Sequence, residues 1–268
     1  MKIRTFLVDA FTDEAFKGNT AGVCLLEETL EATILQKIAM EMNAAETAFI
    51  TRKSENVFDI RYFSPLTEVP FCGHATLASS KVLMSIFDLT EVHLTTFFNL
   101  QLSAKAVSQG VEMDFPLYQT TPYSVTEEFL TIMGIPQAAE VRFCEPIQKI
   151  LIEVASKDIL HSLSPDFQGM LKAIPKMGSV VVTTASEDSD YDFYSRVFGP
   201  WVGINEDSVT GAAHTMLASY WSAKLGKTKM RAWQSSKRGG YMNLEIKEEN
   251  KLKVTSNAVM VLEGWLTI

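Results

Sequence analysis

Hydrophobic positions along this chain repeat one arrangement twice. From Gly73 to Phe87 only Lys81 is charged, and from 211 to 223 no residue is. A helix without a broad polar face is buried on most sides. Each segment therefore predicts a central helix, the second ended by a glycine cap at Gly226. By contrast 31–42 is amphipathic, with Ile34, Leu35, Ile38 and Met42 on one face. Most of the remainder reads as strands: 3–9, 21–26, 57–63, 92–98, 111–115, 147–154, 179–184, 244–246, 252–254 and 258–266 are rich in β-branched and aromatic residues.

Two short motifs precede the two apolar helices in the same order. Arg61-Tyr62-Phe63-Ser64-Pro65 matches Arg196-Val197-Phe198-Gly199-Pro200, and Glu68, Gly73 and Ala75 match Glu206, Gly211 and Ala213. The offsets, 135 and 138 residues, are close to half of the 268-residue chain. An internal repeat of this length predicts two copies of one supersecondary plan. The expected architecture is α+β: two pseudo-symmetric domains, each a barrel-like sheet around a buried helix. The expected domains are 1–118 and 119–268, with the last strand, near 258–268, returning to the first. The active site is expected in the cleft between them.

Composition narrows the function classes. At 47% hydrophobic and 21% charged residues the chain can fill a sizeable core. A net charge of −8 argues against a broad phosphate-binding surface, so no nucleic-acid partner is expected. The first apolar run is too short for a signal peptide, and no stretch of about 20 apolar residues predicts a membrane span. Cys24, Cys72 and Cys144 are dispersed and odd in number, which suits reducing cytoplasm.

The first turn of a helix offers unpaired N–H groups, and a preceding glycine lets a ligand approach them. Gly73 and Gly211 hold that position in the two repeats, which points to a small anion such as a carboxylate. The ionisable groups beside them differ. Cys72 aligns with Thr210, whose hydroxyl is too weak an acid for a symmetric two-thiol racemase, so Cys72 reads as a packing residue. His74 is a candidate proton carrier, or a cap of its own helix. Asp207 could orient such a histidine or stabilise its own helix start. His93, His161 and His214 have no metal-ligand spacing, and no metal is expected.

Several motifs together resemble the phenazine-biosynthesis PhzF-like proteins. They are Val8-Asp9-Ala10-Phe11-Thr12 with Phe16-x-Gly18-Asn19-x-Ala21-x-Val23, then Asn43-x-x-Glu46-Thr47-Ala48-Phe49, and Arg61 to Thr76. In the second half follow Gly203-Ile204-x-Glu206-Asp207-x-Val209-Thr210-Gly211, His214 with Tyr220-Trp221, and Gln234-x-Ser236-x-Arg238-Gly239-Gly240. The resemblance implies a diaminopimelate-epimerase-like fold and a cofactor-free, metal-free isomerase, commonly a homodimer, that moves a proton on a small carboxylate. It implies Glu46 as the acid/base, with His74 and Asp207 positioning substrate and stabilising charge. Asn19, Gly73, Ala75, Thr210, Gly211 and Ala212 are the implied substrate contacts. Burial in a water-poor cleft is expected to raise the Glu46 pKa. Thr20, Gly22, Ser208 and Ala212 depart from the usual pattern. A lyase or tautomerase using the same base, or a metabolite-binding protein without turnover, are the alternatives.

Overall fold

The computed structural model describes residues 1–248 and 250–268. The chain divides into unit 1, residues 1–114 with 253–268, and unit 2, residues 115–252. Unit 1 opens with β1 (Lys2–Ala10), β2 (Asn19–Leu26), α1 (Ala32–Met42), β3 (Glu46–Arg52) and β4 (Val57–Phe63). The short β5 (Glu68–Val69) leads into α2 (Gly73–Phe87), followed by β6 (Glu91–Thr96), β7 (Gln101–Val107) and β8 (Gly110–Pro116).

Unit 2 holds β9 (Thr121–Pro122), α3 (Glu127–Met133), β10 (Glu140–Cys144), β11 (Lys149–Glu153), α4 (Lys157–Ser162) and α5 (Phe167–Ala173). Next come β12 (Ser179–Ala185), β13 (Phe193–Gly199) and β14 (Ile204–Asp207), which leads into α6 (Gly211–Leu225). After α6 lie β15 (Lys229–Gln234) and β16 (Gly240–Lys247), then β17 (Lys251–Ser256), which crosses into unit 1 at Lys253, and β18 (Ala258–Thr267), which completes unit 1.

Strand pairing shows the duplication directly. In unit 1, β1–β2 is antiparallel, β2–β3 parallel, β3–β4 antiparallel, β4–β6 parallel and β6–β7 antiparallel. Unit 2 repeats this sequence of pairings with β10, β11, β12, β13, β15 and β16. Each sheet carries one long apolar helix, and ten of the fifteen residues of both α2 and α6 are buried. Helix α2 packs against β1, β2, β3, β6, β7 and β18, which is why it has no polar face. Its one lysine, Lys81, leaves the core by donating to the Asn257 side chain at 3.1 Å.

The repeat motifs are held by matching ion pairs. Arg61 Nε and Nη2 donate to the two Glu68 carboxylate oxygens, both at 2.8 Å. Arg196 Nε and Nη2 donate to Glu206 in the same way, at 2.7 and 2.9 Å. Each pair ties a long strand to the short strand that feeds the central helix. Planar, two-point geometry makes such pairs stronger than ordinary ion pairs.

The outer face of each sheet is also covered. Leu35, Ile38 and Ala39 of α1 join Ile3, Cys24, Phe49 and Phe63 in one core. In unit 2, Phe129, Met133, Leu160 and Met170 from α3, α4 and α5 pack on Ile150, Ile152, Val180, Val182 and Phe198. Strands buried on both faces read as continuous apolar runs. Helices α3 to α5 fall where the sequence pattern assigns no element. They are only six or seven residues long, too short for a 3.6-residue period to show, and each starts at a capping side chain: Thr126, Ser156 or Asp166. Among the described residues no helix is long and apolar enough to cross a membrane.

Candidate active site

The loop after β1 is shaped by one buried carboxylate. Asp9 accepts the Phe16 backbone N–H at 2.7 Å and the Thr20 hydroxyl at 2.6 Å. Thr20, a departure from the family pattern, thus helps to anchor this loop. Phe11, Phe16 and Gly18 all have positive φ, and a Cβ on Gly18 would lie 2.0 Å from the Ala10 carbonyl oxygen. Only glycine fits that turn. The turn delivers Asn19 to the start of β2 as a buried side chain. Gly22, a second departure, sits where a Cβ would come within 2.8 Å of the Thr47 hydroxyl.

Four side chains of unit 1 converge at the start of α2. Glu46 is the first residue of β3, Cys72 precedes the helix, and His74 lies in its first turn. His74 Nε2 is 3.1 Å from Glu46 Oε2, and both side chains are largely buried, 9% and 15% exposed. On the other ring nitrogen, His74 Nδ1 is 3.4 Å from both Asn19 Nδ2 and Cys72 Sγ. The structure therefore brings together Asn19, Glu46, His74 and Cys72, the last of which the sequence assigns only to packing. His74 does not cap its helix by side chain, nor does Cys72 among the described residues.

Electrostatics at this cluster differ from expectation. Burial alone would raise Glu46, but the hydrogen bond and positive charge of His74 outweigh it and hold the carboxyl below its ordinary range. Burial likewise opposes the His74 charge, yet the hydrogen bonds and charges of Cys72 and Glu46 carry it well above the usual histidine value. Burial, and then the Glu46 charge, push the Cys72 thiol up. These directions favour an ionised Glu46 beside a protonated His74, and the part of the His74 shift that comes from the Cys72 charge requires its thiolate. A close cationic partner has reversed the shift that burial by itself predicts.

Donor atoms of Glu46, Cys72 and His74 also lie within 4.8 Å of one another, a carboxylate–thiol–imidazole set of the kind that can hold a metal ion. Sequence spacing does not reveal it, because the three come from a strand, a loop and a helix. Metal binding there would have to displace the protons that the cluster favours on the thiol and the imidazole.

In unit 2 the corresponding helix start is built differently. Thr210 precedes α6, and its hydroxyl donates to Asp207 Oδ2 at 2.5 Å. Buried Gln234, at the end of β15, accepts the Thr210 N–H at 2.9 Å and donates to the Asp207 carbonyl at 2.8 Å. The Ser236 hydroxyl donates to the Ser208 carbonyl at 2.6 Å. Gln234 and Ser236 are thus the supports of this turn, a role that their motif alone does not disclose. No side chain caps α6 among the described residues, so Gly211 and half-buried Ala212 open a helix whose first turn is uncapped. His214 donates from Nδ1 to the Thr210 carbonyl at 2.9 Å and lies buried against Phe193.

The family model of phenazine biosynthesis-like proteins (PhzC-PhzF) matches residues 8–264. The phenazine biosynthesis-like domain-containing protein 1 of Mus musculus is 41% identical over 100% of both chains. An uncharacterised isomerase of Halalkalibacterium halodurans is 38% identical over 98% of each. Among solved structures, a PhzF-family phenazine biosynthesis protein from Enterococcus faecalis is similar with a TM-score of 0.93, at 32% identity over 100% of both chains.

Proposed function

We propose a cofactor-independent isomerase, on the premise that this chain belongs to the phenazine biosynthesis-like family. Its reaction is a proton shift or epimerisation on a small carboxylate, with Glu46 as the acid/base. The observation that carries this reading is the 3.1 Å contact between Glu46 Oε2 and His74 Nε2, both largely buried. His74 keeps Glu46 ionised and so ready to accept a proton from carbon. The imidazolium next to it offers positive charge as negative charge develops on the substrate. Asn19 lies against the other side of the ring, with Nδ2 3.4 Å from His74 Nδ1. A carboxylate-binding role for Thr210, Gly211 and Ala212 rests on the uncapped start of α6. A homodimer is the proposed assembly, to be checked by light scattering.

Solvent-deuterium exchange across a panel of small cyclic and amino carboxylic acids, read by mass spectrometry, tests this function. Incorporation that disappears in Glu46→Gln is the expected result, because that variant keeps the size of the side chain and removes the base. Exchange at the wild-type rate in Glu46→Gln would sink the assignment. Ligand binding with no exchange on any acid would favour a metabolite-binding protein instead.

A further inference from the structure

The two sheets can be aligned residue by residue through their registers. Arg61 lies opposite Phe49, and Arg196 lies opposite Val182. Three residues back along β3 and β12, Glu46 corresponds to Ser179. Across the neighbouring parallel pair, Glu46 faces Ala21 and Ser179 faces Lys149. Where unit 1 carries its carboxylate, unit 2 carries a buried serine whose Oγ accepts from Lys149 Nζ at 2.7 Å.

The rest of the comparison explains why a cation belongs there. Cys72 corresponds to Thr210 and His74 to Ala212, so unit 2 has no imidazolium in its helix start. The ionisable group it does have, Asp207, repels a carboxylate. Lys149 is brought to this end of β12 by its register with Ser179. Burial lowers its pKa below the usual lysine value, while Asp207 and then Cys144 partly restore it. An ammonium has three N–H donors, and Ser179 takes one of them.

We propose that Lys149, held by Ser179, is the cationic contact for the small carboxylate that unit 2 binds. The inference rests on the carboxylate substrate class proposed above, but not on Glu46 being the base. Lys149 balances Asp207 and directs its remaining N–H groups to the ligand. Ser179 fixes the ammonium, replacing entropy that a free lysine would lose on binding.

The test uses the full chain carrying [ε-13C]lysine, with the Lys149 signal identified by its loss in Lys149→Met. Sodium benzoate is the probe, and sodium chloride at matched ionic strength is the control. A saturable shift of the Lys149 signal with benzoate alone is expected. By calorimetry, Lys149→Met should bind benzoate about tenfold more weakly and Lys149→Arg close to normally. Should Lys149→Met fail to fold, Ser179→Ala is read instead, with weaker binding expected. No saturable shift in the wild type, a shift shared with chloride, or undiminished affinity in Lys149→Met (in Ser179→Ala where that variant does not fold) overturns the proposal. Glu46→Gln separates the two readings: a retained benzoate shift leaves Lys149 standing, whatever happens to deuterium exchange.

Discussion

Arg61 grips Glu68 through two parallel hydrogen bonds, each 2.8 Å long, and Arg196 grips Glu206 with the same fork in the other unit. The two pairs differ in what else the arginine touches. Arg196 Nη1 also donates to the carbonyls of Leu160 and Leu163, at 3.0 and 2.9 Å, satisfying the end of α4. Lysine in place of either arginine keeps the charge and loses the fork. Arg61→Lys is expected to cost about 1–2 kcal/mol in urea unfolding, and Arg196→Lys more, because buried carbonyls lose their donor. Equal losses would show that the α4 contacts contribute nothing.

The Glu46–His74 pair gives stability a definite pH window. Glu46 is held below its ordinary value of 4.5, so its contribution is present above that pH and lost as pH falls through the folded-state value. His74 is raised well above 6.5, so its contribution is complete below that pH and lost as pH rises through its folded-state value. The melting-temperature gap between wild type and Glu46→Gln should therefore be widest between these two reference values and should narrow on both sides. A gap that is flat from acid to alkaline pH would contradict the pairing.

Gly18 has φ of +62° and no room for a side chain. Gly18→Ala must either move the Ala10 carbonyl or release the loop that Asp9 anchors. A loss of about 1–3 kcal/mol is expected, together with displacement of Asn19 from His74. Chemical denaturation and the His74 imidazole NMR signals report the two effects. Unchanged His74 signals in a destabilised variant would show that Asn19 is positioned by something other than this turn.

His214 is buried and uncharged, with its pKa lowered to about 4, by burial first and against the Thr210 carbonyl bond. Its folded value lies below the unfolded one, so the folded state is favoured fully above pH 6.5 and loses stability as pH falls towards 4. The loss is on the order of 3 kcal/mol. Nitrogen-15 spectra should show one histidine that remains neutral, protonated at Nδ1, down to about pH 4. Titration near 6.5 would mean that this ring is open to water.

Much of the fold is legible in the residues. Gly73–Phe87 has one lysine and no acid because strands surround it, and the Arg–Glu spacing before each helix marks an ion pair made twice. The helices α3 to α5 are not legible in this way, because two turns or less leave no periodic signal. Gln234 illustrates a different limit: its motif marks a position, but its partners, Thr210 and Asp207, are distant in sequence. Lys149 stands in no motif at all, and only strand register sets it against Ser179.

The sequence by itself determined the duplication, the two central helices and the identity of the residues beside their starts. These follow from local patterning, in which burial dictates residue type and turns demand particular residues. The tertiary structure alone decided the charge states of those residues. Burial of Glu46 predicts a raised pKa, yet the strand–helix packing that buries it also sets His74 Nε2 3.1 Å away. A nearby opposite charge in a low-dielectric niche outweighs desolvation, and that proximity is a property of the fold, not of the order of residues along the chain.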